Sequence, residues 1–376
     1  MPTVVVKFIE AGIEAIQRSQ RGIVALILED TKQVIDKLAT KTNGHEVLPN
    51  PFLVYTVDDI PEELSDKNKD YILKALKGYN KPPLKVVVYM MQQGGDKAGA
   101  DRFQEPLKAM LTERFDYLAI PTIETAQLEY VATWVKTARE NKFKKIKVVL
   151  PGSNADYEGV INFGNTKVVT ADREYKAAEY TARIAGLVAG TNMTQSATYA
   201  PLTEVIDCDR HTQDEMDTMV NEGKFFIWYD GEKFKMSRAM NSLVTTSQGK
   251  LEGYQTIKIV DIMDMIYDDI RKTAQDSYIG KYTNDYENKC LLISAILGYF
   301  KQLENERLLQ KDYSTCEIDC EAVRTYQLSH GLFTKEELAK MTDDEVKKLD
   351  TKKIVFLKAK VRPLDAMEDI QLPINI

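Results

Sequence analysis

The sequence is poor in the residues that most often carry out chemistry: it has three histidines among 376 residues. His45 follows a turn-forming Asn-Gly pair, His211 precedes a predicted helix start, and His330 stands beside a glycine. The chain also has no Gly-x-Ser-x-Gly elbow, no Walker loop, no His-Glu-x-x-His and no Gly-x-Gly-x-x-Gly after a strand. These absences predict no catalytic residue and no cofactor.

Cysteine is equally scarce, and its four positions are scattered: Cys208, Cys290, Cys316 and Cys320. Only the last two lie close together, and a metal site would need further cysteine or histidine ligands at short spacing. We therefore predict no metal site and expect buried free thiols.

Long apolar runs and blocks of one charge are missing as well. The longest apolar run near the start, Ile23–Leu28, is far shorter than the ~20 residues that span a bilayer. Met1–Glu10 lacks the pattern of a signal peptide. The net charge is −7 and lysines are interspersed with acids, which argues against general nucleic-acid binding. We expect a protein made in a cytoplasm, without membrane insertion or direct contact with nucleic acid.

What the sequence does contain is a regular alternation of short apolar strands and amphipathic helices. Strands are predicted at 22–28, 53–57, 84–90, 117–120 and 146–150, and helices at 66–77, 101–114 and 123–141. Such alternation is typical of a mainly parallel sheet covered by helices. The pattern continues with a helix over 172–189 and a helix capped by Thr212. A hairpin follows, with strands at 225–229 and 234–236 and a turn at Asp230-Gly231.

A Ser-, Thr-, Gln- and Gly-rich stretch at Asn241–Gly253 marks a predicted domain boundary. Beyond it, helices are predicted at 260–275, 285–308, 335–340 and 343–349, with strands near 317–319 and at 354–361.

Both ends of the chain read as strands. The final stretch alternates apolar and polar residues, so a strand would place Ile370, Leu372, Ile374 and Ile376 on one face. The first stretch is β-branched and aromatic and supplies Val4, Val6, Phe8 and Ile9.

The terminal strand needs a sheet that already exists. Burying four such side chains contributes roughly 1.5–3 kcal/mol each, while ordering each backbone residue costs about 1–2 kcal/mol. Because Pro373 has no N–H to donate, the strand must lie at an edge or turn that position away from its partner. The sheet could belong to the same chain or to a neighbouring copy, and the failed search for chemistry favours the neighbour, as in β-augmentation.

Four stretches, in this order, resemble contractile phage tail sheath proteins, especially the short sheaths of Gram-positive myophages, PBSX-like elements and phage-tail-like bacteriocins. They are Arg183–Thr191 with Thr194–Ala200, Asn241–Thr246 leading to Ile257–Arg271, Gly298–Leu303, and Asp365–Glu368.

The resemblance implies an α/β fold: an outer α/β domain, often labelled subtilisin-like, and a smaller α+β inner domain with extended strand arms. The corresponding ranges are an N-terminal arm and linker at 1–20, the outer domain at 21–245, the inner domain at 246–362 and a C-terminal arm at 363–376. Because no Asp/His/Ser set stands at matching motifs, the subtilisin-like label does not predict protease activity.

The function implied is that of a structural subunit. Copies would stack as hexameric rings into a six-fold helical sleeve around the tail tube, contacting baseplate and tail terminator proteins. Contraction would drive the tube through the target envelope. Assembly would take place in the bacterial cytoplasm, and the protein would reside in a phage tail or a phage-tail-like particle.

Two alternatives stay open: a cytoplasmic α/β hydrolase or nucleotide-binding enzyme, and another tail or baseplate structural protein. The glycine-rich loop Gln93–Gly99 is a weak phosphate-binding candidate for the former.

A lysine-rich segment near the end offers candidate tube-facing charges, chosen on charge alone. Its members are Lys335, Lys340, Lys347, Lys348, Lys352 and Lys353.

Overall fold

The computed structural model describes residues 15–41, 50–94, 99–250 and 252–375, with side chains in 39–41 excepted. By internal contacts the chain forms two compact units. Unit 1 contains Met1–Ser19 and Met265–Leu364, and unit 2 contains Gln20–Asp264 and Asp365–Ile376. One division falls inside the continuous helix Ile257–Thr273, between Asp264 and Met265.

Unit 2 is built on a seven-stranded sheet with the order β10-β6-β5-β4-β1-β3-β2. The pairings are parallel except that β2 runs antiparallel to β3, as the strand–helix alternation predicts. The strands are β1 Ile23–Asp30, β2 Phe52–Val54, β3 Lys85–Gln92, β4 Tyr117–Ala119, β5 Lys147–Pro151, β6 Val160–Phe163 and β10 Lys224–Phe225.

Helices cover both faces of this sheet. They are α1 Lys32–Lys41, α2 Asp66–Leu76, α3 Gln104–Met110, α4 Leu128–Asn141, α5 Ala177–Ala189 and α6 Gln213–Asn221. Alternate residues of β1 enter two different cores: Leu26 packs with α2 and α5, whereas Ile27 packs with α3 and α4. Burial on both faces explains why β1 reads as one apolar run rather than an alternating one.

Several short elements were missed or misplaced by the sequence analysis. A three-stranded sheet contains β7 Lys167–Thr170, β8 Glu174–Lys176 and β9 Val205–Cys208. Pairing of β8 with β7 delays the predicted helix at 172 until Ala177. The predicted helix over 101–114 is instead a 3-10 turn at Gly99–Phe103 followed by the shorter α3.

The predicted strand 225–229 is split by its partners. Phe225 ends β10 in the large sheet, whereas β11 Ile227–Tyr229 pairs with β12 Phe234–Met236 as the predicted hairpin.

Unit 1 contains the second half of α7 Ile257–Thr273, followed by a π-helical turn at Ala274–Tyr278. Its other elements are α8 Tyr286–Asn305, β13 Thr315–Ile318, α9 Cys320–Ser329, α10 Lys335–Lys340, α11 Asp343–Lys347 and β14 Leu357–Lys360. β13 and β14 form an antiparallel two-stranded sheet, with Ile318, Val323 and Val346 in the core beside it. The helix α9 was not predicted.

The described end of the N-terminal segment is fixed to unit 1. Backbone N–H groups of Gln17 and Ser19 donate to Thr273 Oγ1 and Asp269 Oδ1 at 3.0 and 2.7 Å. The hydroxyl of Tyr299 donates to the other oxygen of the buried Asp269 carboxylate at 2.7 Å. One carboxylate therefore joins the incoming segment, α7 and α8.

Close packing of α2 against α5 depends on Gly186. A Cβ atom added there would lie 2.0 Å from the carbonyl oxygen of Ala75, which belongs to backbone and cannot rotate away. The stretch Arg183–Thr191 therefore contains a small residue at 186 because the backbone of α2 lies directly against α5 there.

We predict that Gly186→Ala lowers the free energy of unfolding by about 2 kcal/mol or more, because the added methyl forces the two helices apart. Urea unfolding followed by circular dichroism measures the loss.

The matched control is Gly298→Ala in α8, where an added Cβ meets nothing within 4 Å. It should be neutral or stabilise by up to about 1 kcal/mol, since alanine favours helix. Equal losses in both variants would contradict the packing explanation.

Candidate functional site

The two described histidines lie at helix ends. The ring of His211, next to the N-cap Thr212, meets the ring of Phe226 edge-on at 6.2 Å. His330 ends α9 and stacks on Tyr326 at 4.1 Å. Within the described ranges, no three His, Cys, Asp or Glu residues are arranged to hold a metal ion.

All four cysteines are free thiols; Cys208, Cys316 and Cys320 are buried and Cys290 is half-buried. Burial raises the pKa of the Cys208 and Cys316 thiols to about 11. Both therefore stay protonated at neutral pH and are poor nucleophiles.

One cleft lies where α/β proteins often bind ligands, beside the carboxyl end of β5. It has a volume of about 440 Å³ and is lined by one face of α4 and by the loop 152–157. Its described lining includes Glu129, Lys136 and Ser153, but neither a histidine nor a cysteine. No nucleophile–base pair is apparent in that lining.

A group of buried charges in unit 2 is the first feature that sequence reasoning missed. The carboxylate of Asp264 accepts two hydrogen bonds from the Arg139 guanidinium at 2.8 and 2.9 Å. It also accepts one from Lys147 Nζ at 2.7 Å. All three residues are almost completely buried, so each charge depends on the others for compensation.

A second carboxylate completes the group. Lys147 Nζ lies 2.9 Å from Asp261 Oδ1, and the hydroxyl of Tyr117 donates to the same carboxylate at 2.5–2.6 Å. Burial, together with the negative charge of Asp261, raises the pKa of Tyr117 well above its usual value. Tyr117 is therefore a neutral hydrogen-bond donor.

The protonation states are fixed by proximity. Burial alone would raise the pKa of Asp264, but Lys147 and Arg139 outweigh it and lower that pKa to about 2. Burial alone would lower the pKa of Lys147, and the two carboxylates instead raise it. Asp264, Lys147 and Arg139 are therefore ionised at neutral pH, and the group joins α4, β4 and β5 to the start of α7.

The sequence did hold a signal for this group. Ile257, Val260, Asp261 and Asp264 follow the spacing of one helix face, and the first two are buried. Acids that interrupt an apolar face predict buried partners.

The second missed feature is the attachment of residues 365–369, which we call the acidic root. Glu368 Oε1 accepts hydrogen bonds from Ser196 Oγ at 3.0 Å and Thr198 Oγ1 at 2.6 Å. Arg238 places Nε 3.2 Å from Glu368 Oε2 and donates to Asp369 Oδ1 at 2.5 Å. We call Ser196, Thr198 and Arg238 the cradle.

Beyond the acidic root, the chain is not part of any strand as far as Asn375. Ile370, Leu372 and Ile374 are 84%, 75% and 76% exposed. The predicted terminal strand is thus not formed within the single chain over these residues. The predicted arm residues Val4, Val6, Phe8, Ile9 and Ile376 lie outside the described residues.

The six lysines predicted to face a tube lie on or beside α10, α11 and the following loop of unit 1. Two of them pair with nearby acids: Lys347 with Asp344 at 3.2 Å, and Lys352 with Asp350 at 2.7 Å. Lys335, Lys340, Lys348 and Lys353 are exposed.

Solved structures place this fold in a defined class. The chain resembles a sheath tail protein of Desulfitobacterium hafniense with a TM-score of 0.69 and 18% identity, covering 84% of this chain and 94% of that one. It resembles the helical sheath of the anti-feeding prophage in its contracted state with the same TM-score of 0.69 and 12% identity, covering 100% and 98%. The fold is that of sheath subunits.

The sequence comparisons are more specific. Residues 96–242 match the phage tail sheath protein central domain, and residues 250–376 match the phage tail sheath C-terminal domain. The tail sheath protein of Clostridium phage phiCD119 is 33% identical over 376 residues, covering 99% of this chain and 98% of the relative. The chain belongs to the phage tail sheath family.

We predict that Asp264→Asn destabilises the protein by about 3–5 kcal/mol at pH 7, because two buried cations lose their shared carboxylate. In the wild type, the lowered pKa stabilises the fold above pH ~4, and this contribution of about 2 kcal/mol is lost as the pH falls through about 2. Urea unfolding between pH 2 and 7 measures both effects.

The control is Asp350→Asn, which removes an exposed partner of Lys352 and should change stability by less than about 1 kcal/mol. An acid-dependent loss of the same size in the wild type and in Asp264→Asn would contradict the assignment to Asp264.

Proposed function

We propose that this chain is the structural subunit of a contractile tail sheath. Copies assemble as stacked six-fold rings around a tail tube, and contraction of the sleeve drives the tube through a target envelope. The observation that carries the proposal is the match to a tail sheath protein along 99% of the chain. The chain acts in this proposal without catalysis, consistent with buried, protonated thiols and histidines at helix ends.

The unpaired C-terminal segment supports the arm hypothesis. Ile370, Leu372 and Ile374 alternate with polar residues and are mostly exposed in the single chain. Each would contribute roughly 1.5–3 kcal/mol on burial. A neighbouring sheet edge supplies the main-chain hydrogen bonds that the segment needs to offset its ordering cost.

The two-stranded sheet of β13 and β14 is a suitable recipient. Each strand pairs only with the other among the described residues, so each has an outer edge there. Two-stranded sheets are marginally stable alone, and added strands stabilise them. The arm of one copy would extend this sheet in unit 1 of a neighbour, with Pro373 turned away from the shared edge.

In this proposal the partners are further copies of the chain, the tail tube, and baseplate and terminator proteins. The assembled sheath belongs to the tail of a phage or a phage-tail-like particle and forms in the bacterial cytoplasm. The subtilisin-like label describes the α/β domain only. Among the described helices, none has the length and apolar character of a membrane span.

Negative-stain images of the purified protein separate the candidate functions. Hollow tubes support the sheath, discrete rings support a baseplate component, and a compact particle that reacts with an activity-based probe supports an enzyme.

We predict that deleting Ile370–Ile376 prevents formation of regular sheaths, because the edge of the neighbouring sheet loses its added strand. Electron microscopy of the variant with its tube measures this. Normal sheaths from the deletion variant would contradict the arm proposal.

A matched pair of variants tests the face of the arm. Leu372→Asp with Ile374→Asp places charge on the apolar face and should block assembly. Gln371→Asp with Asn375→Asp adds the same charge on the other face and should allow it.

The lysine-rich segment of unit 1 is proposed to contact the tube. Replacing Lys335, Lys340, Lys348 and Lys353 by glutamine should make sheath–tube association less dependent on salt, because exposed charges are screened by ions. Cosedimentation with tubes at increasing ionic strength measures this. Replacing Lys142 and Lys144, exposed or half-exposed lysines of unit 2, is the control. An unchanged salt dependence in the first variant would place the tube contact elsewhere.

A further inference from the structure

Side-chain exposure rises abruptly at the end of the acidic root. Glu368 retains 15% of its side-chain exposure, whereas Asp369 retains 75% and the next residue, Ile370, 84%. The chain therefore leaves the surface of unit 2 at one residue. Arg238 contacts both carboxylates at this point.

The cradle is built to receive a carboxylate. Thr198 Oγ1 accepts a hydrogen bond from Ala239 N at 2.9 Å, and Ser196 Oγ accepts one from Thr198 N at 3.1 Å. With these oxygens already accepting from backbone, the hydroxyl protons are oriented to donate. A carboxylate can only accept, and Arg238 supplies the opposing charge.

A buried lysine reinforces the choice of an acidic ligand. Lys258, in the first turn of α7, is buried, and its burial lowers its pKa while the carboxylates of Asp365 and Glu368 oppose that shift. Thr256 Oγ1 also lies 3.4 Å from Asp365 Oδ2. The acidic root thus meets cations or hydroxyl donors at both of its ends.

We propose that the cradle is a binding site for the acidic root of the chain's own C-terminal segment, and that it fixes the point from which the arm departs. This inference rests on the proposed function for the use of the arm, but the site itself does not. Ser196, Thr198 and Arg238 are positioning residues: they act through Glu368 and Asp369 on the segment that follows.

Fixing the root has a consequence for assembly. If the arm is free only from Ile370 onward, it searches a smaller volume than an arm that is free from Leu364 onward. Its effective concentration at the edge of a neighbouring sheet is therefore higher. Tension on the arm is also transferred to the backbone beside β12, because Arg238 follows that strand closely.

Limited proteolysis of the full-length, unassembled chain with a broad-specificity protease tests the site directly, because a protease can cut the segment only when it is detached from the cradle. In the wild type, cleavage within 365–369, located by mass spectrometry, should be slow and cleavage within 371–375 fast. Glu368→Gln and Arg238→Met should each reduce the protection of 365–369 about tenfold or more, as expected for loss of a charged hydrogen bond.

The control is Glu174→Gln, which removes an exposed partner of Lys167 elsewhere on unit 2 and should leave the root protected. Thermal unfolding shows whether each variant is folded, and Thr198→Val provides a milder test if Arg238→Met is not.

Rapid cleavage within 365–369 in the wild type would overturn the proposal, as would full protection from cleavage in Glu368→Gln. Assembly then tests the consequence: Glu368→Gln and Arg238→Met should polymerise at a critical concentration several times that of the wild type, as a lower effective concentration of the arm requires. If the wild type forms no tubes while the root is protected, the proposed function fails and the site stands.

Discussion

The packing of α4 and β5 against the start of α7 in unit 2 depends on the ionic contacts of the Asp264 carboxylate. This carboxylate is buried, and it compensates the charges of Arg139 on α4 and Lys147 at the start of β5. Replacing such a group with apolar residues can be neutral, whereas removing one partner leaves an uncompensated ion. Any position of the start of α7 that separates Asp264 from Arg139 and Lys147 is therefore penalised, because it leaves buried charges without compensation.

The same requirement for a partner explains which parts of the structure the sequence could predict. Strand β1 was recognised because its residues are buried on both faces, and the Thr212 cap because its hydrogen bond is local. The short strands β6–β9, each of three or four residues, were missed. Strand β9 joins β7 from a distant part of the chain, whereas β7 and β8 form a local hairpin whose strands are too short to show a clear alternating pattern.

The contacts of the candidate site join residues that are far apart in the sequence, so local pattern could not predict them. Arg139 and Asp264 are 125 positions apart, and Thr198 and Glu368 are 170 apart. Arg139, Thr198 and Glu368 look like ordinary surface polar residues in the sequence. The apolar helix face around Asp264 indicates that this acid has a buried partner, but only the fold shows which residue that is. The resemblance to sheath proteins did point to Thr194–Ala200, Ile257–Arg271 and Asp365–Glu368, but it did not say that the first of these binds the last. Two of these stretches, which look unrelated in the sequence, contain the two sides of one contact: Thr198 in the first binds Glu368 in the last.

The C-terminal segment has both a local pattern that the sequence shows and a distant contact that only the fold shows. Its alternation specifies how it would pair but carries no information about which sheet it joins, so the prediction of a strand could not choose between its own chain and a neighbour. In the single chain the root is bound and the apolar residues beyond it are exposed, although exposed isoleucine and leucine side chains favour burial. In the proposed sheath, a segment anchored by charges at one residue and apolar from the next would stay available for a neighbouring copy. Charge fixes the anchor because hydrogen-bonded ions need defined geometry, and the apolar part supplies affinity wherever an edge of the right register is offered.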